Sequence, residues 1–125
     1  MKKTITGFEI PSTDLGRAVK FYSAVLGEKV EMVDFEGHEG LKKGILPGSE
    51  GGVTGAIVCV PEYTKPSDQG VNVYLHVTDL DAALTEVEKE GGTIIVPKNS
   101  GGGKDGSFAW IMDSEGNRVA LNQSS

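Results

Sequence analysis

The chain has 125 residues, a single cysteine and a formal net charge of −6 from 12 basic and 18 acidic side chains. That length supports one domain with an ordinary core, and a lone Cys59 excludes an internal disulfide, which fits a reducing compartment. The scattered basic residues disfavour nucleic acid and anionic membranes as partners, and no run reads as a membrane span or a signal-peptide core, so a cytoplasmic location is expected.

In chain order, Gly7 to Pro11 alternates as a strand with Phe8 and Ile10 on one face and Glu9 on the other. Thr13 and Asp14 then cap a helix whose apolar stripe is Leu15, Ala18, Val19, Tyr22, Val25 and Leu26, closed by Gly27. Lys29 to Phe35 reads as a strand and Glu36 to Gly40 as a polar loop. Leu41 to Pro47 and Val53 to Val60 form a hairpin around Gly48 to Gly52. Pro61 to Gly70 has linker composition.

The second half repeats the order. Val71 to Val77 alternates, leaving Asn72, Tyr74 and His76 on the polar face; Thr78 or Asp79 caps a helix with Leu80, Ala83, Leu84 and Val87 on one side, ended by Gly91. A strand from Thr93 to Pro97, a glycine-rich loop from Ser100 to Gly106 and a hairpin from Ser107 to Asn122 follow. Superposing the halves at a constant offset of 65 places Thr13-Asp14-Leu15 on Thr78-Asp79-Leu80, Gly27 on Gly92 and Ser49-Glu50-Gly51 on Ser114-Glu115-Gly116 without a gap. The expected architecture is an α+β fold of two tandem βαβββ modules, at about 4–61 and 71–123, joined by a linker at about 62–70. They pair about a pseudo-two-fold axis as a U-shaped sheet around a central trough.

The doubled pattern, the run from Phe8 to Gly27 and the ending from Asp113 to Leu121 resemble the vicinal oxygen chelate superfamily, which includes glyoxalase I, bleomycin-resistance proteins and extradiol dioxygenases. The resemblance covers essentially the whole chain and implies the fold, whereas the superfamily hosts several chemistries and some pure binding proteins. Its enzymes hold a divalent metal with His and Glu from the first and last strands of each module. The resemblance places those positions at Gly7, Gly55, Asn72 and Ala120, which supply one amide and no other side-chain donor. No cofactor is therefore expected; the alternative is a divalent metal at a relocated site, with Glu9 and His76 as the first candidates and Cys59 or His38 nearby. Otherwise Glu9 and His76 are polar pocket residues, and Cys59, flanked by Val58 and Val60, is a small apolar residue rather than a nucleophile.

A turn with Gly116 in the left-handed position sets the register of the last hairpin: Met112 opposite Arg118, Trp110 opposite Ala120 and Phe108 opposite Asn122. Since Ala120 falls at a trough position, Trp110 and Phe108 face the trough as well, unless a register slip sends Trp110 into the core. The expected ligand-binding set is Glu9, Asn72, Tyr74, His76, Phe108, Trp110, Met112 and Arg118, suited to a flat, partly aromatic guest. The loop around Lys104 fails as a phosphate loop, because Asp105 follows the lysine and no helix comes next; a flap or a plain connector fits it.

These residues support a small-molecule binding protein with a metal-free, aromatic-lined trough whose acidic balance favours a cationic or neutral guest. The alternative is an enzyme of lyase, isomerase or dioxygenase type, using relocated metal ligands or acid–base chemistry by His76 and Glu9. A domain with a vestigial cavity is the third reading. A homodimer is expected, because family members commonly complete their troughs between chains and open sheet edges favour pairing.

Overall fold

The computed structural model describes residues 4–35, 37–49, 52–100 and 106–124. Two four-stranded sheets each follow the order first, last, third, second strand of their module. In the first, β1 (Gly7–Pro11) pairs in parallel with β4 (Thr54–Val58), followed outward by β3 (His38–Ile45) and β2 (Glu31–Phe35). In the second, β5 (Tyr74–His76) is parallel to β8 (Arg118–Gln123), followed by β7 (Ser107–Met112) and β6 (Thr93–Ser100). A parallel pairing of first and last strands requires a crossover, and the helices α1 (Leu15–Leu26) and α2 (Leu80–Lys89) supply it.

Both helices start at an aspartate in extended conformation: Asp14 accepts from the Arg17 amide and Asp79 from the Ala82 amide, each at 3.0 Å. The caps satisfy amides that the helix leaves without partners. On α2 the buried side is the expected Leu80, Ala83, Leu84 and Val87. On α1 it includes Phe21, which the stripe omits. Phe21, Tyr22, Leu80, Val87, Ile57 and Leu121 belong to one core that spans both modules.

Several sequence expectations shift. The first sheet's hairpin begins earlier, with His38 to Gly40 already in β3, and β6 continues three residues past Pro97 to Ser100. β5 is only three residues long: the Val73 carbonyl still accepts from the Ala120 amide, but the Arg118 amide donates to the Ser67 carbonyl, so the linker occupies the place beside β8 that Val71 and Asn72 would need for a longer ladder. The repeat also contains a gap. Tyr74 pairs with Ala120 as Glu9 pairs with Ala56, so the offset is 65 on the first strands and 64 on the last. The left-handed glycines agree, Gly27 with Gly91 and Gly52 with Gly116, so one residue is missing from the second copy between its helix cap and Gly91.

Hydrogen bonds across the chain fasten the modules further. The buried Tyr22 hydroxyl donates to Asp113 Oδ2 at 2.5 Å, and Asn117 Nδ2 donates to Asp113 Oδ2 at 2.9 Å and to the Pro11 carbonyl at 2.7 Å. Burial, then the neighbouring Asp113 carboxylate, raises the Tyr22 phenol well above its ordinary value. Among the described residues no helix is long and apolar enough to cross a membrane.

Candidate functional site

The pleat divides the second sheet into two faces. Ala109, Ile111, Val119 and Leu121 are buried beneath the helices, so their neighbours in sequence point the other way. The β7–β8 register is the expected one, with Phe108 opposite Asn122, Trp110 opposite Ala120 and Met112 opposite Arg118. Gly116, at φ +101°, provides the left-handed turn residue that fixes it, and the Asp113 amide donates to the Asn117 carbonyl at 2.8 Å.

On this outward face the aromatic side chains meet. Trp110 Nε1 donates to the Tyr74 hydroxyl at 3.3 Å, and the Tyr74 and Phe108 rings lie 6.5 Å apart at 52°. The Arg118 guanidinium sits over the Trp110 ring at 5.5 Å, within cation–π range. Arg118 Nη2 donates to the Gly70 carbonyl at 2.6 Å, and Arg118 Nε and Asn72 Oδ1 are both buried without a partner among the described residues. Tyr74 is half exposed, while Phe108, Trp110 and Met112 are partly buried.

His76 shares the face of Tyr74 and pairs with Asn122, and both Glu9 and His76 also border further clefts. Glu9 lines an open cleft of about 470 Å³ on the first sheet together with Gly7, Lys43, Thr54 and Ala56, and also borders a smaller cleft of about 140 Å³ shared with Arg118, Lys65 and Val71. His76 lines a cavity of about 350 Å³ with Leu26, Glu28, Leu46, Pro47 and Leu75. Lys43 joins Glu9 on this face because it alternates with Ile45, whose partner across the ladder, Ala56, also pairs with Glu9. Glu28 and Leu46 come to His76 from distant parts of the chain with no local signal. Cys59 is a partly buried free thiol. The side chain of His38 and residues 101–105, including Lys104 and Asp105, lie outside the described residues.

One family position needs correction. A Cβ built on Gly55 would come within 2.6 Å of the Phe8 ring and 3.0 Å of Leu46, so Gly55 faces the core. The residue on the Glu9 face of β4, and the counterpart of Ala120, is Ala56. The four positions that would surround a metal are thus Gly7, Ala56, Asn72 and Ala120. Their donor chemistry does not fit a divalent transition ion, which needs three or four N, O or S side chains. Among the described residues no three His, Cys, Asp or Glu side chains cluster as a metal site.

Two βαβββ modules with crossover helices and an outward face on each sheet define the glyoxalase type of fold. The chain belongs to the Glyoxalase/Bleomycin resistance protein/Dioxygenase superfamily, whose family model matches residues 4–121. It is 32% identical to a glyoxylase-like domain-containing protein of Didymella fabae, over 94% of this chain and 91% of that one. Among solved structures it is similar to a glyoxalase/bleomycin resistance protein from Albidiferax ferrireducens, with a TM-score of 0.73 and 17% identity over 98% of this chain and all of the other. A glyoxalase I mutant from Zea mays aligns at a TM-score of 0.69 and 19% identity over 94% of this chain but only 44% of its own.

Proposed function

We propose that this chain is a small-molecule binding protein of the glyoxalase/bleomycin-resistance type, which holds a flat, partly aromatic ligand against the outward face of β5, β7 and β8 without a transition metal. The observation that carries this reading is the meeting of Tyr74, Phe108 and Trp110 beneath Arg118, at a place where the family's metal positions hold only Asn72 and Ala120. Aromatic side chains offer large apolar contact areas, and a few fixed polar groups orient the guest. Asn72 and Met112 complete the site at its edges; Glu9 and His76, lining separate clefts, select among guests that extend beyond the aromatic face.

Trp110 is the only tryptophan, so its fluorescence reports the face directly. Flat aromatic ligands are expected to quench or shift that emission saturably, and the Trp110→Ala protein, followed by calorimetry, is expected to bind them at least about tenfold more weakly. Elemental analysis of the purified protein is the second arm. One zinc, nickel, manganese or iron per chain retained after dialysis overturns the metal-free reading and puts a relocated-site enzyme in its place.

A further inference from the structure

The pseudo-two-fold axis relates two junctions between the modules, and only one of them is filled. In the filled one the Tyr22 hydroxyl meets Asp113, and Asn117 joins Asp113 to the Pro11 carbonyl. The repeat lacks each of these side chains at the other junction. Both helices start at their capping aspartates, so Tyr22 corresponds to Val87; Ile45 and Trp110 stand opposite Ala56 and Ala120, so Asp113 corresponds to Gly48 and Asn117 to Val53. Gly92 follows the left-handed Gly91 as Glu28 follows Gly27, and it has no room even for a Cβ, which would stand 2.5 Å from the Met112 carbonyl. At the other junction the counterparts of Gly92 and Met112, Glu28 and Pro47, stand apart and line the cavity of about 350 Å³ that Gly48 and His76 also border.

The walls of this cavity are held in place. Ser49 Oγ donates to the Leu46 carbonyl at 2.7 Å and accepts from the Gly55 amide at 3.0 Å, which pins the turn carrying Pro47 and Gly48. Gly27, left-handed at φ 72°, and the Val30 amide, which donates to Ser23 Oγ at 3.0 Å, fix the segment carrying Glu28. Leu26, Leu46, Pro47 and Leu75 make an apolar wall, Glu28 and His76 are the titratable side chains on it, and no lysine or arginine lines it among the described residues. Lys29, next to Glu28, pairs with Glu31 instead, at 4.0 Å. We propose that this cavity is a second ligand site, for a primary or secondary amine on a compact apolar body. The ammonium donates to the Glu28 carboxylate and to the free ring nitrogen of His76, while the body packs on the leucines and Pro47. A volume at the small end of the range for ligand sites sets the size of that body. An anion is opposed by Glu28 and by the net charge of −6. A transition ion needs one or two donors more than this lining offers. The site stands apart from the aromatic face, and a guest of that face long enough to reach past His76 meets the same preference.

Titrations of the intact protein with cyclohexylmethylamine, cyclohexylmethanol and cyclohexanecarboxylate, followed by backbone amide NMR shifts, test this. The three probes share one apolar body, differ in the head group, and avoid the flat rings that the aromatic face takes. The amine is expected to bind at least about fivefold more tightly than the alcohol, the part of a charge-assisted hydrogen bond that survives at a site open to solvent. It is expected to shift the amides of Glu28, Gly48 and His76, and the carboxylate to shift none of them. Glu28→Gln, at an exposed position outside the core, is expected to bring amine and alcohol to equal affinity with the amide spectrum otherwise unchanged. Trp110→Ala is expected to keep the preference for the amine, which separates this site from the aromatic face. Equal binding of amine and alcohol by the unmodified protein, or tighter binding of the carboxylate, overturns the amine assignment. Shifts confined to Tyr74, Phe108 and Trp110 overturn the second site and leave the aromatic reading standing, and the absence of any shift with all three probes overturns the second site as well.

Discussion

Glu115 shows how one side chain ties the turn of the last hairpin to the first helix. Its carboxylate, out of solvent contact, accepts from the backbone amides of Thr13 and Asp14 at 2.9 and 3.1 Å and from Arg17 Nε at 2.6 Å. Burial pushes the carboxyl up, and the hydrogen bonds from Arg17, Thr13, Asp14 and Ser114 more than reverse this, bringing it from 4.5 down to about 2. A value lower in the folded than in the unfolded chain stabilises fully above the unfolded value. The contribution is lost as pH falls from about 4.5 towards about 2. Chemical denaturation across that range is expected to show a decline that Glu115→Gln lacks, with the variant less stable by about 1–2 kcal/mol at pH 7. Identical slopes for the two proteins would remove the clamp from the account. Tyr22→Phe acts at the same scale: it withdraws a donor from the buried Asp113 carboxylate and is expected to cost about 1–3 kcal/mol.

At the scale of elements, what the sequence made legible was whatever local chemistry decides. The α2 stripe followed from its period and the β7–β8 register from Gly116 in the turn, so Trp110 and Ala120 were correctly set face to face. What stayed hidden depends on contacts between distant segments. Phe21 escapes the α1 stripe because it is buried from a second direction: a Cβ on Gly92 would lie 2.8 Å from its ring. The single-residue gap escaped because Gly91 and Gly92 are adjacent, and an offset of 65 finds a glycine as readily as 64 does. That Glu9 and His76 line different clefts was invisible for the same reason, since alternation gives a face but not a distance. Two changes test the helix. Leu84→Ala is expected to cost about 2–5 kcal/mol and exposed Glu88→Ala almost nothing. Gly92→Ala is more severe than its single methyl implies, because the added carbon would stand 2.5 Å from the Met112 carbonyl, a backbone atom that cannot swing aside. Matching denaturation midpoints for the Leu84 and Glu88 variants would show the helix phase to be wrong.

For the molecule as a whole, the decisive feature is how unevenly its two sheets are covered. The helices lie over one side, and the outward side of the first sheet carries apolar residues with nothing upon them. Val33 and Leu41 fall on that side, as Lys43 pairs with Val33 and alternates with Leu41, and they are 38% and 42% exposed. Met32, on the other side of the same strand, is 42% exposed, so β2 projects past the helices and is covered on neither face. Single exposed apolar residues are ordinary, but a strand bare on both sides at the rim of a sheet is a surface suited to association. Its outer edge is guarded by Glu31 and Asp34, which discourages strand-to-strand addition and leaves the face as the site of contact. We expect a homodimer in which each chain covers this face of its partner and closes the open clefts from above. Light scattering at ten to a hundred micromolar, roughly the range where a modest interface of this kind saturates, is expected to give twice the chain mass. Val33→Glu with Leu41→Glu is expected to return it to one chain mass without lowering the thermal midpoint of the isolated chain, because neither side chain belongs to the core. A wild-type protein that scatters as a monomer throughout that range would leave the bare strand unexplained by self-association and exclude a trough shared between copies.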